Sequence, residues 1–188
     1  MDDVPALLRR DFHQFRVEVS DAERLLVVPS LERPGHHYHI TLYAYTMVAF
    51  SFVDLWSLLY RGERRPRDQT PRMVEMLELY LPRGEGAHRH AVQLFRHTLM
   101  HTSRPRVLTD KSGKASFPFL FHWRSAFLPR AQHYLVGPDG KFTFGLEYFI
   151  EDMDVMLEGL LRDAAAEIGA GARLASGWRA ALNQELGA

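Results

Sequence analysis

The chain has 188 residues, 46% of them apolar and 12% aromatic, which is enough to bury one core and excludes a disordered or low-complexity chain. Lysine plus arginine and aspartate plus glutamate both number 23, so no global field draws the protein to nucleic acid and a polyanion has to find a local patch. There is no cysteine, which excludes disulfides and thiolate metal sites and favours a reducing, cytoplasmic setting.

In chain order, Met1-Asp2-Asp3-Val4-Pro5 is acidic and lacks the apolar core of a signal segment. Asp3 and Pro5 suit the start of a first helix, and Leu7, Leu8, Phe12, Phe15 and Val19 follow at helical spacing. A second apolar segment, Ala22 to Val28, is expected to end before Pro29, and Pro34-Gly35 marks a break.

A long helix is expected from about His37 to Tyr60. Between Ile40 and Tyr60 the 21 residues carry one charge, Asp54, a length that could cross a bilayer. Asp54, Thr41, Thr46, Ser51 and Ser57 interrupt it, and an aspartate at mid-bilayer costs about 2.5–3.5 kcal/mol, so it is read as the buried central helix of a bundle. Gly62 is placed as its C-cap. Thr70-Pro71 should cap and open a third helix with Met73, Met76, Leu77 and Tyr80 on its apolar face, closed by Pro82. A fourth helix is expected over His88 to Ser103, ended by Pro105.

The pattern then changes. Val107–Leu108, Ser116–Trp123, His133–Val136 and Lys141–Phe144 have strand character, and Gly137-Pro138-Asp139-Gly140 predicts a β-hairpin turn between the last two. A last long helix should run from Leu146 to Ile168, with a short tail helix after Gly169-Ala170-Gly171. The expected fold is mainly α: a four- to five-helix up-and-down bundle in one domain over residues 1–188, with a small β-hairpin insertion at about 107–145, before the last long helix.

Several constellations could carry chemistry. Arg96-His97-Thr98-Leu99-Met100-His101 sets a permanent cation near an imidazole that titrates close to neutrality, able to bind phosphate and move a proton. On an ideal helix Arg96 and His101 point about 140° apart and stand about 7.5 Å apart along the axis, so one rigid helix does not bring them together. A frayed helix end, or two such ends meeting across a symmetric dimer, would. The plain alternative is a solvated helix end with its cations near the negative end of the dipole.

His97 and His101 share a helix face, with His90 on the same stripe; zinc would need a further ligand from His36, His37, His39, His122 or a carboxylate, and nothing in the sequence places one there. No metal or cofactor is expected. His36-His37-Tyr38-His39 reads as a polar helix start. Arg61, Arg64, Arg65 and Arg67 with Arg104, Arg106 and Lys111 would frame the hexapeptide as a basic rim only if the two helix ends adjoin, and otherwise are scattered solvated charges. No glycine-rich phosphate loop or nucleophile elbow is present.

The arginine, polar residue, three residues and histidine of Arg96–His101, on a late helix preceded by a long apolar helix with Asp54 and the ending Tyr60-Arg61-Gly62, resemble the HEPN superfamily (higher eukaryotes and prokaryotes nucleotide-binding domain). The resemblance covers roughly Asp11 to Arg104, with the last helix completing the bundle; the hairpin lies outside the minimal domain, and the usual asparagine or aspartate after the arginine is His97. It implies a homodimer whose two motifs form one cleft, and a metal-independent endoribonuclease of a toxin–antitoxin or phage-defence system. His101 would be the general base or acid, Arg96 would stabilise charge on the phosphate and His97 would orient the substrate. It further implies RNA as substrate and a nucleotidyltransferase-like antitoxin as partner. Other members have lost catalysis and serve as binding or dimerisation modules.

Overall fold

The computed structural model describes residues 4–31, 39–62, 68–81, 86–93, 95, 108–109, 116–117, 119–122, 128–138, 141–166 and 174. The first helix, α1, spans Val4–Ala22 and buries Val4, Leu8, Phe12, Phe15, Val19 and Ala22, the stripe that its spacing predicts. The backbone then does not stop before Pro29. It passes through a π turn, Glu23–Val27, into a one-turn helix α2, Val28–Leu31. The Val28 N–H donates to the carbonyl of Glu23, a five-residue step. A proline in a regular α-helix lacks a donor and collides with the carbonyl four residues back; widening the turn just upstream relieves that collision and lets the helix continue.

Helix α3 spans His39–Arg61 and lies at the centre. Leu42, Thr46, Ala49, Phe50, Val53, Trp56, Ser57 and Leu59 are all within 1% of complete burial. The apolar window Leu42–Arg61 is long enough to cross a membrane, and half of it is buried inside the fold. Thr46 and Ser57 spend their hydroxyls on the carbonyls of Leu42 and Asp54, at 2.8 and 2.7 Å, which is how polar residues sit in so apolar a helix. The helix ends as expected: Gly62 has φ +69° and its N–H donates to the Leu58 carbonyl at 3.0 Å.

Helix α4, Gln69–Tyr80, begins earlier than Thr70-Pro71 suggests, with Asp68 at the cap position but no side-chain cap bond. The Gln69 amide instead donates to Asp54 Oδ2 at 2.7 Å, tying the first turn of α4 to α3. Helix α5, Ala87–Gln93, follows Gly86, whose φ of +85° turns the chain. Phe95 is buried, and the rest of the helix expected to Ser103 lies outside the described residues.

Among the described residues the five strands fall between 108 and 145. β1 (Leu108–Thr109) pairs antiparallel with β2 (Ser116–Phe117). β4 (Leu135–Val136) and β5 (Phe142–Gly145) form the predicted hairpin, with Leu135 opposite Thr143 and the Gly137 N–H closing the turn on the Lys141 carbonyl at 2.8 Å. One pairing is unexpected: β3 (Phe119–His122) runs parallel to β5, so β5 is the middle strand of a three-stranded mixed sheet. Parallel pairing needs a long connection and leaves no local turn signature to read.

The last long helix, α6, spans Leu146–Ala166 and buries Leu146, Phe149, Ile150, Met153, Met156, Leu157, Leu160 and Leu161. It packs on α3, α4 and α1. Two aromatic clusters fill the core. Phe12 meets Trp56 and Phe52 edge-on at 5.2 and 5.7 Å, joining α1 to α3. Phe50 stacks on Phe149 at 4.8 Å and on Phe95 at 5.4 Å, where α3, α6 and Phe95, just beyond α5, meet. The molecule is thus mainly helical with a small hairpin before the last long helix. Of the tail helix, only Leu174 is described; it is buried.

Candidate functional site

Arg96, His97 and His101 lie outside the described residues, as do His36, His37, Arg64, Arg65, Arg67, Arg104, Arg106 and Lys111. What is described is the approach to the hexapeptide. Phe95, the residue before Arg96, is 4% exposed and stacks on Phe50 in the core. Its partner Phe50 is midway along α3. On an ideal helix Phe50 and Gly62 are about 18 Å apart along the axis, so Phe95 meets the middle of α3 rather than its C-terminal end. Arg61 itself pairs with Glu75 on α4.

The two histidines of α5 are both engaged. The His90 ring lies over Phe142 at 6.3 Å, and its Nδ1 is 2.7 Å from the Gly86 carbonyl. A carbonyl only accepts, so Nδ1 carries the proton, and Nε2 is the nitrogen that would have to ligate any metal. His88 is buried, and its Nδ1 shares a hydrogen bond with the Tyr134 hydroxyl at 3.2 Å. Among the described residues no three histidines, aspartates or glutamates are placed to hold a metal ion.

Asp54 stands in the long apolar helix and is half-buried. Its partner is Arg72, whose side chain is 5% exposed. Arg72 also donates from Nε to Ser57 Oγ at 2.9 Å. Sequence reading passed over Arg72. The available signal was its place beside Met73 on the stripe that continues to Met76 and Leu77, where a lone charge on an apolar face calls for a buried partner.

A second polar cluster has no counterpart among the sequence candidates. The His133 side chain is fully buried, and its Nδ1 accepts the Gly145 N–H at 3.0 Å. The proton therefore sits on Nε2, which donates to Asp152 Oδ2 at 3.3 Å. Asp152 is also paired with Arg130, whose guanidinium lies 4.9 Å over the Tyr148 ring and bonds Glu151 at 2.6 Å. With both ring nitrogens occupied, His133 is a neutral staple between the hairpin and α6 and has no nitrogen to offer as a general base. Two residues nineteen positions apart, one beside the hairpin and one in a helix, give no sequence pattern that pairs them.

Next to it, Tyr134 has φ +59°, the left-handed region that an aromatic residue rarely adopts. Consecutive residues of a strand face opposite sides. Here His133 and Tyr134 are both 2% exposed, and the left-handed turn is what lets both enter the core.

Comparison of the chain with protein-family models, curated proteins and solved structures finds no match.

Proposed function

We propose that this chain is a HEPN-like protein that cleaves RNA without a metal ion, working as a homodimer in a toxin–antitoxin or phage-defence setting. The observation that supports the reading is Phe95: the hexapeptide begins one residue past an aromatic anchor in the core of a helical bundle whose long central helix carries Asp54 and ends Tyr60-Arg61-Gly62.

In this reading His101 takes the proton of a ribose 2′-hydroxyl. The 2′-oxygen attacks the adjacent phosphorus, the bond to the 5′-oxygen breaks, and that oxygen leaves with a proton, giving a 2′,3′-cyclic phosphate and a 5′-hydroxyl end. Arg96 offsets the charge that builds on the phosphoryl oxygens, and His97 orients the substrate. The balanced net charge leaves RNA binding to local contacts rather than to a global field.

The test is RNA cleavage in the presence of a chelator. Wild-type protein is expected to cleave, and His101→Ala and Arg96→Ala to lose about 10²–10⁴-fold in rate. Cleavage retained by His101→Ala overturns the assignment of the base. Wild-type protein that binds RNA without cutting it returns the chain to the non-catalytic binding and dimerisation members of the superfamily.

A further inference from the structure

Helix α5 is described over Ala87–Gln93, about two turns, and Phe95 beyond it again has π-helical backbone. Its orientation depends on what it packs against. On the hairpin side that is Phe142, under the His90 ring, and Tyr134, against His88 at 5.3 Å between ring centroids.

Tyr134 is the more constrained of the two. Among the described residues it is the one non-glycine with positive φ, a conformation that L-residues rarely adopt because Cβ crowds the following carbonyl. The surroundings hold it there. Its N–H donates to the Thr143 carbonyl at 2.7 Å, its ring stacks on Phe149 at 5.8 Å with 9° between planes, and it meets Phe142 edge-on at 5.4 Å. The preceding residue is stapled to Gly145 and Asp152. A strained residue that is fixed on every side and presents one hydroxyl to a neighbouring helix is a candidate for a working part.

We propose that Tyr134 is a positioning residue: its hydroxyl on His88 Nδ1 fixes the rotation of α5, and with it the placing of Phe95, the residue before Arg96. The hairpin, which the minimal superfamily domain lacks, would then be the buttress of α5. The catalytic consequence rests on the function proposed above; the effect on α5 does not.

Tyr134→Phe tests this, because it deletes the hydroxyl and keeps the ring and its stacking. Amide hydrogen exchange is followed in Tyr134→Phe, in His88→Gln and in the double variant, with Gly159→Ala as a control that disturbs the α4–α6 contact instead. The expected result is exchange at least about tenfold faster at His90 to Gln93 in Tyr134→Phe, with α1 and α3 within about twofold of wild type, and no further increase when Tyr134→Phe is added to His88→Gln. Unchanged exchange in α5, or a uniform rise across all helices like that of the control, overturns the proposal. Where wild type cleaves RNA, Tyr134→Phe is expected to lower kcat about tenfold with KM within about twofold. Full kcat with loosened α5 removes the link to the site. If wild type cleaves nothing, the proposed function falls, and the exchange data still decide whether Tyr134 positions α5.

Discussion

Arg72 on α4 and Asp54 on α3 hold one another across the helix pair, the arginine almost wholly buried and the aspartate 29% exposed. Removing one partner of a buried pair costs about 3–5 kcal/mol, and the water that reaches Asp54 reduces this. Arg72→Met is therefore expected to lower unfolding free energy by about 2 kcal/mol, leaving Asp54 with Gln69 and Ser57 without its Nε–H donor. Arg72→Met combined with Asp54→Leu should recover at least half of that loss. Denaturant titration of the three variants measures the cycle; a double variant that falls by the sum of the singles would show that the pair is not coupled.

Gly159 on α6 faces the ring of Tyr80. A Cβ at this position would stand 2.6 Å from Tyr80 Cδ1 and 2.8 Å from Cε1. The ring has little room to yield, because the Tyr80 hydroxyl donates to Asp163 Oδ2 at 2.9 Å. Burial, and then that hydrogen bond to Asp163, push the phenol far above its ordinary pKa, so it keeps its proton and remains a donor across the working pH range. Alanine in a helix interior gains about 1 kcal/mol over glycine, and overpacking costs about 1–3 kcal/mol. Gly159→Ala should lower the thermal midpoint in the wild-type chain and raise it in a Tyr80→Ala background. A higher midpoint for Gly159→Ala alone would refute the contact.

Arg9 on α1 grips Glu158 on α6 with two parallel bonds, Nε to Oε1 and Nη2 to Oε2, each 2.9 Å. The hydrogen bonds from Arg9 hold the Glu158 carboxyl below the ordinary glutamate value. A lowered folded pKa means that the contribution is present above the unfolded value, about 4.3, and is lost as pH falls through the folded one. Both groups are more than half exposed, so the pair is worth under about 1 kcal/mol. Glu158→Gln should be slightly less stable than wild type at about pH 7 and equal to it at about pH 3, with the gap shrinking in about 1 M salt. Urea midpoints at the two pH values settle the sign.

Elements with local signatures were legible in the sequence. Gly62 stops α3 where a left-handed cap is needed, and the Gly137 N–H closes on the Lys141 carbonyl between the strands predicted for the hairpin. The apolar stripes of α1, α4 and α6 match their spacing. Features that depend on distant partners were not legible. The π turn shelters Pro29 in a place where proline argues for a stop. The parallel register of β3 on β5 joins strands on either side of a whole hairpin arm. Arg72 and Asp152 look like ordinary surface charges until Asp54 and His133 are brought to them. For the candidate site, the sequence supplied the hexapeptide and Asp54. The fold adds what no motif encodes, the buried Phe95 at the entrance and the His88–Tyr134 contact behind it.

The central position of α3 has a consequence for the birth of the protein. Its Phe50 face is covered by Phe149 of α6, a helix completed about a hundred residues later. At about 5–20 residues per second of synthesis, the most apolar segment of the chain waits roughly 5–20 s outside the ribosome for its cover. During that interval it has the length and composition of a membrane span with no companion helix from the far end of the chain. A nascent chain released early, at about residue 140, should therefore be captured by chaperones or aggregate, whereas one released past Ala166 should not.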